Sequence, residues 1–142
     1  MPAELFVDTS AWYVLALASA PEHKNVAGAL RHRLERGARI VTTNLIVAET
    51  HALLLRRTGR KTALTFVREV RRAPNVIVAS SAEDEESAVT DWLEKFDDQL
   101  FSFTDAVSFA VMSDRGIREA LALDHRFSAA GFVVVPTDRK AV

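Results

Sequence analysis

Glu4-Leu5-Phe6-Val7-Asp8-Thr9-Ser10 joins an apolar run to a carboxylate and two hydroxyls, and a helical pattern begins at Ala11. A buried strand from Ala3 to Asp8 that hands its chain to a helix leaves Asp8 at the carboxyl edge of a sheet. Open α/β sheets bind their ligands at that edge. Thr9 or Ser10 caps the helix that follows, which carries Ala11, Trp12, Tyr13, Val14, Leu15 and Leu17.

Outward from this stretch the pattern repeats. Pro21 stops the first helix, and a second is expected from Glu22 to Arg36, with Val26, Leu30 and Leu34 on one face and Gly37 at its end. Arg39 to Thr43 reads as a strand. Asn44 then caps a helix from Leu45 to Arg57. After Gly59 a helix from Lys61 to Arg72 carries Leu64, Val67 and Val70 as its stripe. Val76 to Ala79 reads as a strand buried on both faces. Ser81 and the acids from Glu83 to Glu86 open a helix reaching about Phe96, with Ala88, Trp92 and Phe96 inward. A connection from Asp97 to Phe103 precedes a helix from Asp105 to Arg115, capped by Thr104 and ended by Gly116. Ala120 to Leu123 is a strand that ends in Asp124. A turn from His125 to Gly131 leads to a last strand, Phe132 to Val135, closed by Pro136, and Thr137 to Val142 read as a loose tail. Strands alternating with helices predict an α/β fold, a mainly parallel sheet with helices on both faces.

The 142 residues, 49% apolar and 26% charged, fit one domain spanning 1–142. No apolar run approaches the ~20 residues of a membrane span. The N-terminus enters a strand at once, unlike a signal peptide. With no cysteine there is no disulfide framework and no thiolate zinc site. A cytoplasmic protein is expected. The net charge of −1 argues against a general nucleic-acid binder. Yet seven basic residues stand between Arg56 and Arg72 with one acid, Glu69, and eight acids stand between Glu83 and Asp98 with one base, Lys95. Arg56, Arg57, Arg60 and Lys61 are candidates for phosphate contact, beside the plainer reading of a solvated helix face.

Four carboxylates carry the chemistry. Asp8 and Asp124 follow strands, where Asp is also a common cap. Glu49 shares or borders the face expected from Leu45, Ala48, Ala52 and Leu55, where a carboxylate is costly unless it is paired or holds a metal. A buried ion pair with an arginine is the competing explanation. Asp105 opens a helix, which suits the dipole, but Phe109 and Met112 at i+4 and i+7 align it with the buried face. Asp98 stands seven residues earlier, at the rim. Clustered acids need a counter-charge, and oxygen ligands without cysteine or a histidine cluster select Mg²⁺ or Mn²⁺. A cation there neutralises charge on a phosphorane-like transition state, so phosphodiester hydrolysis is the natural reaction. Asp8 and Asp105 would hold the metal most directly, and Glu49 and Asp124 would bind through water or orient the nucleophile. Thr9, Ser10 and Thr104 could position water or a phosphate oxygen. His23 and His32 read as surface residues, His51 lies on another helix face from Glu49, and His125 belongs to a turn.

Four segments resemble the PIN-domain ribonucleases of the VapC toxin type. They are Phe6-Val7-Asp8-Thr9-Ser10, Asn44-Leu45-Ile46-Val47-Ala48-Glu49, Ser102-Phe103-Thr104-Asp105-Ala106 and Ala122-Leu123-Asp124-His125-Arg126-Phe127. They occur in the family's order and are followed by Gly131-Phe132. The resemblance implies a three-layer α/β/α sandwich with Asp8, Glu49, Asp105 and Asp124 as the acidic constellation. It also implies Mg²⁺- or Mn²⁺-dependent endonucleolytic cleavage of RNA, a homodimer, and inhibition by an antitoxin that covers the site.

Other readings differ at particular residues. A PIN nuclease of RNA maturation or decay, without an antitoxin, is barely separated by this sequence, although a chain with nothing appended favours the toxin. A haloacid-dehalogenase-like phosphatase needs a second acid two residues after Asp8, where Ser10 stands. A receiver domain needs an acceptor Asp after the third strand, where Ala79-Ser80-Ser81 stand. A catalytically inactive binding module of the same fold would not need all four acids.

Overall fold

β1 (Glu4–Val7) runs through the interior of a five-stranded sheet, and its Leu5, Phe6 and Val7 are fully buried. The computed structural model describes residues 3–136. The other strands are β2 (Arg39–Thr43), β3 (Val76–Val78), β4 (Glu119–Leu121) and β5 (Val133–Val135). Their order is β3-β2-β1-β4-β5 and every neighbouring pair is parallel. Phe6 pairs with Val41 on one side and Ala120 on the other. The expected tail from Thr137 lies outside the described residues.

This order fixes where the site falls. The chain moves outward from β1 through β2 to β3, then returns to β4 on the far side of β1. The switch point is therefore the β1–β4 junction, and the crevice outside its carboxyl ends follows Val7 and Leu121. Right-handed crossovers put the helices of the two directions on opposite faces. α1 (Thr9–Leu15), α2 (His23–Glu35), α3 (Asn44–Arg57) and α4 (Arg60–Arg72) lie on one face, where α1 packs against both α2 and α3, and α3 against α4. On the other are α5 (Ala82–Ser87), α6 (Phe103–Arg115) and the short α7 (Arg126–Ala129).

Two clusters tie the layers together. The Trp12 indole Nε1 donates to Thr42 Oγ1 at 3.3 Å, and that hydroxyl donates to the Val7 carbonyl at 3.0 Å, so α1, β2 and β1 are pinned at the carboxyl edge. Phe109 of α6 is an aromatic hub. Its ring centroid lies 4.9 Å from those of Phe101 and Phe127, 5.2 Å from Trp92 and 5.7 Å from Phe132.

Several expected details change. α3 is capped by Thr43, whose hydroxyl accepts from the Ile46 amide, and not by Asn44. Its buried face is Ile46, Thr50 and Leu54, whereas Ala48, Ala52 and Leu55 are exposed. Thr50 tolerates the core because its hydroxyl donates to the Ile46 carbonyl at 2.8 Å within the helix. In α4 the buried stripe is Ala63, Phe66 and Val70, with Leu64 exposed, because Phe66 packs edge-on against Trp12. β3 is half-buried, since it forms one edge of the sheet. After Ser87 the chain widens into a π-helical stretch, Ala88–Leu93, that still turns Ala88 fully inward. The His125-to-Gly131 turn contains α7. His23 is half-buried, and its Nδ1–H donates to the Val14 carbonyl at 2.9 Å, joining α2 to α1.

Candidate active site

Asp8 follows β1 and is itself the cap of α1, a role expected of Thr9 or Ser10. Its Oδ2 accepts from the Ser10 amide at 3.3 Å and the Ser10 hydroxyl at 2.8 Å. Its own amide donates to the Leu121 carbonyl at 3.0 Å, which locks it to the end of β4. The side chain belongs to a residue only 2% exposed. Burial pushes its pKa up to about 6, and the fields of Asp124 and Asp105 push the same way, against the Ser10 hydrogen bonds.

Asp105 reaches the same edge from α6. The cap of that helix is Ser102, not Thr104. Ser102 Oγ accepts from the Asp105 amide at 3.0 Å, and Asp105 Oδ2 accepts from the Ser102 amide at 2.9 Å, a reciprocal capping box. The carboxylate is nonetheless almost fully buried, at 3% exposure for the residue. Thr104 is half-buried, and its carbonyl accepts from the Ser108 hydroxyl at 2.9 Å.

Asp124 lies three residues beyond β4, because that strand stops at Leu121. Oδ1 accepts from the Arg126 amide at 2.9 Å, and Oδ2 from the Arg126 guanidinium at 2.8 Å. Partial burial alone would raise its pKa; the Arg126 hydrogen bonds outweigh burial and hold it below the ordinary aspartate value. The same guanidinium donates to Asp105 Oδ2 at 3.2 Å, so Arg126 bridges two of the expected acids. Its position two residues after Asp124 is the only sequence signal for this bridge, and spacing alone gave it no role.

Glu49 stands apart. It is exposed on α3, so neither a buried face nor a buried ion pair accounts for it, and no ion pair among the described residues includes it. The reason is the shift of the buried stripe to Ile46, Thr50 and Leu54. Asp98 is also exposed. Among the described residues no three acidic or histidine side chains stand close enough together to ligate a metal ion as they are arranged. The donor chemistry still suits a hard cation. Asp8, Asp105 and Asp124 offer oxygen only, and Thr9 Oγ1 is buried beside Asp8 without a hydrogen-bond partner.

An open groove of about 480 Å³ leads away from this edge, lined in part by Ser10, Tyr13, Leu53, Arg57 and Leu123. The Arg57 guanidinium carbon lies 5.5 Å from the Tyr13 ring centroid, and Arg56, Arg60 and Lys61 are exposed nearby in sequence. A more apolar groove of about 510 Å³, among Trp12, Leu30, Phe66 and the start of β2, includes Glu69 but none of Asp8, Glu49, Asp105 and Asp124.

A PIN domain profile matches residues 5–133. The chain belongs to the PIN domain family. Within that family, the 23S rRNA-specific endonuclease VapC20 of Mycobacterium tuberculosis is 39% identical over 131 residues, which span 92% of this chain and 97% of that protein. The crystal structure of VapC20, described as a sarcin–ricin loop cleaving toxin, superposes with a TM-score of 0.79 at 37% identity and covers 91% of this chain and 96% of that one. Two more distant structures share the PIN fold. VapBC2 of Rickettsia felis, bound to a promoter DNA fragment, has a TM-score of 0.68 at 10% identity and covers 92% of this chain and 96% of that one. FitAcB of Neisseria gonorrhoeae has a TM-score of 0.62 at 12% identity and covers 92% of this chain and 95% of that one. The α/β sandwich with a parallel sheet is thus the architecture of this PIN domain.

Proposed function

We propose that this PIN domain, taken as one domain over 1–142, is a Mg²⁺- or Mn²⁺-dependent endoribonuclease and the toxin of a toxin–antitoxin pair. The observation that carries the reading is the sharing of the Arg126 guanidinium by Asp105 and Asp124, with Asp8 buried at the end of β1 beside β4, in a chain 39% identical to an rRNA endonuclease. Asp8 and Asp105 would hold the cation directly, and Asp124 and Glu49 would bind it through water or orient the attacking nucleophile. A divalent ion bound there supplies charge neutralisation and lowers the pKa of water. Attack on phosphorus is in line, the bond to the 3′-oxygen breaks, and the products carry 5′-phosphate and 3′-hydroxyl ends.

Thr9 and Ser10 support the acids from the α1 terminus, with Thr104 and Asp98 at the α6 side. The groove past Ser10 and Tyr13 leads RNA toward Arg56, Arg57, Arg60 and Lys61. The reading includes a homodimer and a cognate antitoxin in the cytoplasm. No described helix is long and apolar enough to cross a membrane.

The test is cleavage of purified total RNA and of a synthetic sarcin–ricin stem-loop by the antitoxin-free protein, with Mn²⁺ or with EDTA. Discrete new 5′-phosphate ends with Mn²⁺, absent with EDTA and with Asp8→Asn, are expected. Equal cleavage by wild type and Asp8→Asn would sink the assignment.

A further inference from the structure

Arg126 puts a cation where the proposed metal site needs one. Its guanidinium donates to Asp105 at 3.2 Å and to Asp124 at 2.8 Å, and the side chain is still 41% exposed. Both carboxylates also have backbone donors. Asp105 Oδ2 accepts from the Ser102 amide at 2.9 Å, and Asp124 Oδ1 from the Arg126 amide at 2.9 Å. These backbone bonds persist if the guanidinium swings away, so the acids keep their places without it. An exposed arginine on a flexible stem can leave at the cost of its own ion pairs.

We propose that Arg126 is a displaceable counter-ion, which neutralises Asp105 and Asp124 while no metal is bound and must release at least one of them before a divalent cation is held by the aspartates. The inference rests on the metal-dependent reading above. It accounts for two facts together: three aspartates within electrostatic reach of one another, and no three acids arranged to ligate a metal among the described residues. Arg126 is then a positioning residue that sets the threshold of metal loading. The metal's apparent affinity is reduced by the fraction of molecules in which the arginine is engaged.

The test is a Mn²⁺ titration of the metal-free protein, followed by calorimetry and by loss of the free-ion electron paramagnetic resonance signal. Wild type, Arg126→Gln, Arg126→Lys and Asp8→Asn are compared. Arg126→Gln is expected to bind Mn²⁺ about tenfold more tightly, the factor for an arginine engaged about nine-tenths of the time. Its metal-free Tm should fall while its Mn²⁺-induced rise in Tm exceeds that of wild type. Arg126→Lys, which keeps the charge but not the two-pronged geometry, should gain a smaller factor and carries the test if the glutamine variant does not fold. Equal or weaker Mn²⁺ binding in the arginine variants, with saturable wild-type binding lost in Asp8→Asn, would overturn the displacement proposal alone. Absence of saturable binding in every protein would overturn the metal-site reading as well.

Discussion

The Ser10 hydroxyl accepts a hydrogen bond from the Leu123 amide at 3.0 Å while donating to the Asp8 carboxylate at 2.8 Å. One side chain thus couples the segments leaving β1 and β4, and sets the separation of Asp8 from Asp124. Ser10→Ala should cost about 1–2 kcal/mol, because a backbone donor and a buried carboxylate each lose a partner. The Ser10 bonds lower the Asp8 pKa. The alanine variant keeps the amide bond and loses the hydroxyl bond, which should move the acid limb of the cleavage pH profile to higher pH. An unshifted limb with lower activity would mean that Ser10 acts on something other than Asp8.

Asp8 makes the metal-free protein sensitive to pH in a defined direction. Its folded pKa of about 6 exceeds the ordinary value of 3.8. Between these values the folded state binds more protons than the unfolded chain, so stability from this group falls as pH rises through the window and stays reduced above it. Asp8→Asn should therefore match wild type near pH 4. At pH 7 it should be more stable, by up to about 3 kcal/mol. Denaturant melts of both proteins across this range, with chelator present, check the expectation; a pH-independent difference would contradict it.

Asp105 combines a capping role with a proposed catalytic one, and Ser102 separates the two. Ser102→Ala removes one half of the capping box and should cost about 1 kcal/mol, with cleavage retained per folded molecule. Asp105→Asn keeps an acceptor for the Ser102 amide but loses the charge. It should lose cleavage on the order of 100-fold or more. Paired urea melts and initial rates decide between them.

Glu49 gives the opposite contrast. Because it is exposed and outside every ion pair among the described residues, Glu49→Gln should change stability by no more than about 0.5 kcal/mol. As a ligand acting through water it should still reduce cleavage about 10–100-fold. A fully active Glu49→Gln protein would remove it from the site.

Phe109 holds the far side of the site in place. It is fully buried among Trp92, Phe101, Phe127 and Phe132, and Phe127 immediately follows Arg126. Phe109→Leu should be tolerated better than Phe109→Ala, which should cost about 3–5 kcal/mol. Chemical denaturation midpoints of the two variants test that order.

The alternation of short apolar runs with helical stretches was sufficient for the fold class, since each run is too short for a helix and each ends in a turn or cap residue. Which residues face inward was less legible. Thr50 reads as polar from sequence and is buried, because its hydroxyl is satisfied inside its own helix. That one residue rotates the expected face of α3 and brings Glu49 to the surface. β3 reads as doubly buried, but only the strand order reveals that it is an edge.

For the site, the sequence by itself determined that Asp8 directly follows a buried strand, because an apolar run closed by a carboxylate marks that boundary; it misplaced the end of β4, which stops at Leu121 and leaves Asp124 three residues beyond it. Tertiary structure alone decided that β1 and β4 are neighbours at the switch point, since parallel pairing joins segments more than a hundred residues apart. It alone decided that Arg126 bridges Asp105 and Asp124. That contact depends on where α6 meets the loop after β4, and no local propensity specifies it.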